Sequence, residues 1–181
     1  HLKFGYGSIA AIEGNKLTYT PTHCYTGGAP FTYRAYDGIA YSNTATVNLT
    51  VATVEPVIHR VDLDAASGQN NGTSWTDAFV DLHAALAYAC PFDEIWVAEG
   101  TYKPHETDRL VSFQLREDVY VYGGFDGTES LRTERNWTEH PTILSGELGD
   151  AGSVADNTEH IVLGANGAIL DGFTVTRGYT E

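Results

Sequence analysis

Residues 93–102 read DEIWVAEGTY, an apolar run followed by Gly100. Within this stretch Glu94–Ala98 is a short strand-like run that is followed by turn residues. Further strand-like runs follow it without any helical segment between them: Val111–Leu115, Val119–Tyr122, Thr142–Ser145, His160–Leu163 and Ala168–Thr176. Strands that are joined by turns instead of crossover helices predict an all-β region in which each coil packs on the next.

One amphipathic helix is predicted just before these strands. From Ala78 onward the apolar positions recur at intervals of three and four: Phe79, Leu82, Ala85, Leu86 and Ala89. This spacing predicts a helix of about four turns with one buried face. Ser74 and Asp77 have the spacing of a capping box, and Pro91 predicts the end of the helix.

Residues 58–178 resemble the N-terminal portion of pectin-lyase-like right-handed parallel β-helix proteins, especially the large bacterial surface proteins of that group. The motifs that carry the resemblance occur in order: a polar, Gly-rich loop at 64–75, the helix, DEIWVAEGTY at 93–102, YGGF at 122–125, TILSG at 142–146 and ILDGFTV at 169–175. The resemblance implies that the helix caps the open end of the solenoid. It also implies that the chain covers only the first coils.

The first third of the chain has a different pattern, with apolar and polar residues alternating in three short runs. These are Lys16–Pro21, Phe31–Tyr36 and Thr44–Val51. Strict alternation predicts strands with one buried and one solvated face. Asp37-Gly38 predicts a hairpin turn between the second and third runs, because that pair tolerates left-handed backbone conformations.

These three runs resemble the last three strands of bacterial Ig-like or cadherin-like repeats, which serve as spacers and adhesive modules on large surface proteins. The strands that normally precede them are mostly absent from the sequence, so the chain is expected to begin inside the domain or to receive strands from another chain. Pro56 withholds a backbone donor from any ladder. We therefore predict a partial sandwich at 1–54, a linker at 55–57 and the start of a β-helix at 58–181.

The charge balance excludes some classes of partner. Twenty-four acidic against 10 basic residues give a formal net charge of −14, which repels nucleic acid and anionic lipid. No apolar run approaches the roughly 20 residues of a membrane span, so no membrane insertion is expected. The acidic surplus suits an extracellular protein that recruits divalent cations, and it equally suits a solvated surface that maintains solubility.

Cys24 and Cys90 are far apart in the sequence and form no zinc-binding pattern. They either form one disulfide between the two halves of the chain or are unrelated buried thiols. Asn48, Asn71 and Asn136 begin glycosylation sequons, which are modified only in an organism that has the N-glycosylation enzymes.

The best candidate for a ligand site is an oxygen-rich loop that contains Asp62, Asp64, Asn70 and Asn71. Oxygen donors at short spacing are the ligands that calcium requires, although the spacing is not that of an EF-hand. The alternative is a loop held by Asx turns, for which Asn and Asp are equally suited. A second acidic stretch, Glu147 to Asp150 with Asp156, is a weaker candidate.

No catalytic residue or cofactor other than calcium is predicted. Enzymes that share the resembled solenoid would need paired carboxylates or a basic residue, and the chain offers Glu147, Asp150, Asp156 and Arg177 without a motif that links them. The seven histidines show no metal-binding spacing and are interpreted as surface or capping residues. Trp75, Trp96 and Trp137 either form a sugar-stacking platform or belong to the core.

Together these features predict a non-catalytic structural or adhesive component of a secreted or cell-surface protein, such as a filament or appendage subunit. The expected partners are carbohydrate or other cell-surface ligands, or copies of the chain in a head-to-tail assembly. The alternative is the front portion of a polysaccharide lyase or glycoside hydrolase whose catalytic coils lie beyond residue 181.

Overall fold

The computed structural model describes residues 2–10, 16–53, 55–65 and 67–179. The chain divides into two compact units, His1–Glu55 (unit 1) and Pro56–Glu181 (unit 2). Both are built mainly from short strands, and the described residues contain one short α-helix. The predicted all-β character is therefore confirmed.

Unit 1 consists of small antiparallel sheets. Its strands are β1 (Leu2–Phe4), β2 (Gly7–Ile9), β3 (Tyr19–Pro21), β4 (Gly27–Gly28), β5 (Phe31–Tyr33), β6 (Ala45–Val47) and β7 (Thr50–Val51). β1, β2 and β3 form one sheet in that order, β4 pairs with β7, and β5 pairs with β6. The predicted runs thus form strands, but shorter ones, and β1 and β2 precede them.

The turn predicted at Asp37-Gly38 is present. Asp37 Oδ1 accepts hydrogen bonds from the backbone N–H groups of Ile39 and Ala40, both at 2.9 Å. Gly38 has a φ of +97°, and Tyr36 and Tyr41 form a bridge on either side of the turn. These contacts explain why the Asp-Gly pair reverses the chain here.

The described residues of unit 2 form three parallel sheets. The first sheet holds β8 (Ile58–Val61), β9 (Glu94–Ala98), β12 (Tyr120–Phe125) and β15 (Ile169–Asp171), in the order β15-β12-β9-β8. The second sheet holds β10 (Gly100–Tyr102), β13 (Thr142–Ser145) and β16 (Phe173–Thr176). The third sheet holds β11 (Phe113–Gln114) and β14 (Val162–Leu163). From β9 onward the chain visits the three sheets in a fixed cyclic order. Each strand therefore pairs in parallel with the strand that follows it one round later.

The core of unit 2 lies between these sheets. Ile95 of β9 is in register with Val121 of β12, and both are fully buried. Trp96, next to Ile95, points to the opposite side of the sheet and is also buried, in a second cluster with Tyr122 and Phe125. Residues 95–98 are therefore buried on both faces of the sheet.

The helix α1 (Leu82–Tyr88) is shorter than predicted, spanning seven residues. Asp81 caps it by accepting a hydrogen bond from the N–H of His83. Ser74 and Asp77 do form the two hydrogen bonds between them, but these close a turn ahead of the helix. Phe79 is not helical, because its backbone pairs with the end of β8. The predicted cap and the predicted length were therefore wrong.

The predicted run at 168–176 is divided into β15 and β16, which belong to different sheets. Gly172 makes the corner with a φ of +80°, and a Cβ atom there would lie 2.6 Å from the carbonyl oxygen of Gly123. Only glycine fits this backbone approach without a shift.

Candidate functional site

Asp62 and Asp64 of the predicted calcium loop lie directly after β8. Asp62 Oδ1 accepts a hydrogen bond of 2.9 Å from the N–H of Asp64, which is an Asx turn. Tyr102 lies beside them, and its pKa is raised by burial first and then by the negative charge of Asp62. The two carboxylates therefore place negative potential next to a buried hydroxyl.

Asn70 and Asn71, the other two predicted ligands, shape the loop through their side chains. Asn70 Oδ1 accepts a hydrogen bond from the N–H of Val80 at 2.9 Å, and Asn70 has a φ of +54°. Asn71 Oδ1 accepts from both the N–H and the hydroxyl of Thr73, at 3.1 and 2.7 Å. These contacts explain how the loop folds, and calcium binding by Asp62, Asp64, Asn70 and Asn71 stays a prediction.

The second acidic stretch is brought together in one loop. The Arg177 guanidinium donates to Glu147 Oε2 at 2.7 Å, and the N–H of Asp150 donates to Asp156 Oδ2 at the same distance. The structure thus forms two hydrogen-bonded pairs that no sequence motif revealed: Glu147 with Arg177, and Asp150 with Asp156. Asn157 and Thr158, which the sequence reasoning missed, are fully buried in the same loop.

On the side of β8, β9 and β12 opposite Ile95, arginine and aromatic side chains lie in register. Arg60 of β8 is aligned with Trp96 of β9, and Trp96 with Tyr122 of β12. Together with neighbouring side chains these residues form what we call the arginine–aromatic face: Arg60, Trp75, Trp96, Tyr122, Arg132, Arg135 and Trp137.

Cation–π contacts join the members of this face. Arg60 lies 5.6 Å from the centre of the Trp96 ring and 5.8 Å from that of Trp75. Arg132 and Arg135 lie 4.5 and 5.1 Å from the centre of the Tyr122 ring. Two of these arginines also form ion pairs. Arg132 Nη1 donates to Glu94 Oε1 at 2.6 Å, and Arg135 pairs with Asp171.

The three tryptophans differ in exposure. Trp96 is buried, as the core interpretation expects, and Trp75 is half-buried, with its indole N–H donated to the carbonyl oxygen of Glu129 at 2.9 Å. Trp137 is 56% exposed and lies 5.2 Å from the Arg135 guanidinium. Of the predicted platform, Trp137 is therefore the ring that a ligand can reach most easily.

An open cleft of about 360 Å³ lies near the start of α1. Asp81, Tyr102, Lys103 and Glu106 contribute to its walls, so it offers both signs of charge. Its size suits a small polar ligand.

The structure also corrects two expectations about single residues. His59 is not a surface residue: it is 5% exposed and pairs with buried Asp93 at 2.9 Å. Cys24 and Cys90 are both disulfide-bonded, so the alternative of two unrelated thiols is wrong and neither supplies a thiolate ligand for a metal.

No helix in the described ranges combines the length and the apolar character needed to cross a membrane. Comparisons of the chain with protein-family models, with curated proteins and with solved structures find no match.

Proposed function

We propose that this chain is a non-catalytic structural or adhesive component of a secreted or cell-surface protein. In this proposal unit 1 is an Ig-like or cadherin-like spacer, and unit 2 is the start of a right-handed parallel β-helix that α1 caps. The cyclic order of the parallel strands supports the solenoid. The contacts of α1 with β8, β9 and β11 support its role as a cap. The disulfide-bonded cysteines are in keeping with an oxidising compartment.

The arginine–aromatic face is the observation that carries the adhesive function. Arginine guanidinium groups bind carboxylates with paired hydrogen bonds, and exposed aromatic rings cover the apolar face of a flat ligand. Arg132 is 44% exposed, with its Nη1 paired to Glu94 at 2.6 Å, and Trp137 is 56% exposed beside Arg135. A carboxylate-bearing polysaccharide of a cell surface is the ligand class that this local arginine chemistry fits, although it must bind here against the repulsion of the overall charge of −14.

A binding experiment tests the proposal. The purified protein should bind immobilised polygalacturonate, an acidic polysaccharide, and should bind neutral dextran much more weakly. The double variant Arg132→Ala with Trp137→Ala should lose at least tenfold in affinity for polygalacturonate. Matched exposed residues elsewhere, Arg116→Ala with Tyr33→Ala, serve as the control and should leave binding unchanged. Equal binding by all three proteins would contradict the proposal.

The same material tests the enzymatic alternative, for which Glu147 and Arg177 are candidate residues that lie in contact. We expect no release of unsaturated uronides or new reducing ends from polygalacturonate. Product release that is abolished by Glu147→Gln would favour the front portion of a lyase or hydrolase instead.

Self-association is the second part of the proposed structural role. β14, β15 and β16 each form an edge of their sheet, and Leu163, Ile169 and Val175 on them are 41%, 41% and 51% exposed. An edge of this kind is a template for another strand. Sedimentation of the native protein should show concentration-dependent, head-to-tail association that Val175→Lys weakens; a strictly monomeric protein at all concentrations would rule out assembly of this chain alone.

A further inference from the structure

A loop at residues 146–158 closes on itself at the end of β13. Its ends are joined by a hydrogen bond of 2.8 Å from the N–H of Thr158 to the carbonyl oxygen of Gly146. The N–H of Gly146 in turn donates to the carbonyl oxygen of Thr176 in β16 at 2.9 Å. We call this segment the 146–158 loop. It is anchored to a sheet edge of unit 2 by backbone hydrogen bonds.

Four buried side-chain oxygens in this loop have no hydrogen-bond donor among the described residues: Glu147 Oε1, Asp156 Oδ1, Asn157 Oδ1 and Thr158 Oγ1. Asn157 is 1% exposed and Thr158 is 0% exposed. Across the described ranges, the buried side-chain atoms without a partner all belong to this one loop. A buried acceptor without a donor destabilises the folded state, so four such atoms within 12 residues of chain need an explanation.

In each of the two carboxylates, one oxygen accepts a hydrogen bond and the other has no donor. Glu147 Oε2 is fixed by Arg177, and Asp156 Oδ2 is fixed by the N–H of Asp150, each at 2.7 Å. Gly149 lies so close that a Cβ atom there would be 2.4 Å from Asp156 Oδ2. The loop therefore wraps tightly around the Asp156 carboxylate and presets its orientation.

The chemistry of the four atoms identifies the ligand class. All of them are oxygens, and two belong to carboxylates, of which Glu147 forms an ion pair with Arg177 whereas Asp156 accepts only a backbone hydrogen bond in the described structure. Hard divalent cations, calcium above all, bind sets of carboxylate, amide and hydroxyl oxygens. We propose that the 146–158 loop binds one calcium-class divalent cation through Glu147, Asp156, Asn157 and Thr158. This site is separate from the predicted loop at Asp62–Asn71 and does not depend on the proposed function.

Calorimetric titration with calcium chloride tests the proposal on protein that has first been treated with a chelator. We expect saturable binding and a rise in the melting temperature with calcium, because a ligand that binds the folded state stabilises it. Asp156→Asn with Glu147→Gln keeps the shape of both side chains and removes their charge. This variant should weaken binding at least tenfold. The matched control Asp62→Asn with Asp64→Asn should bind as the unaltered protein does.

Thr158→Val provides a second test that does not depend on carboxylate charge. Without calcium, this variant should melt at the same temperature as the unaltered protein or above it, because a buried hydroxyl without a partner has been removed. With calcium it should gain less in melting temperature than the unaltered protein. A merely structural hydroxyl would show the opposite order in the absence of the ion.

Three results would overturn the proposal. The first is the absence of calcium binding by the unaltered protein, which would leave a buried water molecule as the partner of these oxygens. The second is binding that persists unchanged in the Asp156→Asn, Glu147→Gln variant. The third is binding that is lost only in the Asp62→Asn, Asp64→Asn control, which would place the ion in the other loop.

Discussion

Asp93 binds three groups at the start of unit 2 through a single buried carboxylate. Its Oδ1 accepts from the N–H of Val57, and its Oδ2 accepts from the N–H of Cys90, both at 2.8 Å. The same Oδ2 pairs with His59 Nε2 at 2.9 Å. Since His59 and Asp93 are each 5% exposed, these groups have little access to water as a substitute partner.

We predict that Asp93→Ala strongly destabilises the protein. The change leaves two backbone N–H groups and the imidazole of His59 without their acceptor, and breaking a buried pair costs about 3–5 kcal/mol. Urea denaturation monitored by circular dichroism measures the loss. Glu117→Ala, at an exposed turn, is the control and should change the free energy of unfolding by less than about 0.5 kcal/mol. Similar midpoints for the two variants would show that the buried carboxylate contributes little.

Gly124 lies at a position where the backbone conformation and a close contact both require glycine. It has a φ of +92°, and a Cβ atom there would lie 2.7 Å from the backbone nitrogen of Trp137. Its N–H donates to Thr142 Oγ1, and its carbonyl oxygen accepts from the N–H of Asn136. A shift that relieves the clash would therefore disturb hydrogen bonds on both sides.

We predict that Gly124→Ala lowers the free energy of unfolding by about 1–3 kcal/mol, because the new side chain is strained in the left-handed region and also collides with the backbone. Chemical denaturation again provides the measurement. Gly164→Ala is the matched control, since a Cβ atom at that position has no neighbour within 4 Å. If the two alanine variants unfold at the same denaturant concentration, the close approach of Trp137 is not a constraint.

At the scale of elements, the buried strands could be predicted because their side chains report burial directly. The run at Glu94–Ala98 became β9, and the run at Thr142–Ser145 became β13, each with the predicted bounds. The helix was overestimated because Phe79 fits the helical period, whereas its backbone is hydrogen-bonded to Arg60 and Asp62. This pairing is a tertiary contact, which the spacing of apolar residues in the sequence does not reveal.

The sites were less predictable than the strands, for the same physical reason. Arg60, Trp96 and Tyr122 meet only because of the parallel register of β8, β9 and β12, which a single sequence does not encode visibly. Asn157 and Thr158 look like ordinary turn residues, and only the folded loop shows that their oxygens are buried. The acidic residues of both loops were found because charge is visible in the sequence.

We predict that the apolar face of α1 is needed for the stability of unit 2. Leu82 and Leu86 are 2% and 3% exposed, so an aspartate at either position buries an unpaired charge and should cost several kcal/mol, of order 3–5. Thermal denaturation of Leu82→Asp and Leu86→Asp measures this. Ala87→Asp, on the exposed face, is the charge-matched control and should cost about 1 kcal/mol or less.

His83, on the same helix, also contributes contacts to unit 2. Its Nε2 lies 2.8 Å from the carbonyl oxygen of Pro104, and its ring lies 4.7 Å from that of Phe113. A polar replacement there should have a measurable cost. Equal tolerance of aspartate at residues 82, 86 and 87 would show that the helix does not close a core.

At the scale of the whole molecule, the two units differ sharply in how much they bury. In unit 1, among the residues whose burial is described, Gly7, Ile9 and Ala29 are the buried ones. Unit 2 has a continuous cluster that includes fully buried Ile95, Val97, Val121 and Leu144. Since burial of apolar surface supplies most of the stabilisation of a fold, the units should differ in stability.

We therefore predict that backbone amides in the two units exchange hydrogen at very different rates. Amides in β9, β12 and β13 lie in the parallel ladders around the main core, so their exchange should require opening of unit 2 as a whole. Amides in β5 and β6 lie in a two-stranded ladder with exposed side chains and should exchange through local opening. Hydrogen–deuterium exchange read by mass spectrometry should show peptides from residues 31–47 labelled at least tenfold faster than peptides from residues 94–98 and 119–125.

The Asp93→Ala variant is the internal test: it should accelerate exchange in 94–98 while leaving the rate in 31–47 unchanged. Equal protection of both units in the unaltered protein would mean that unit 1 has a source of stability other than the burial of its own side chains.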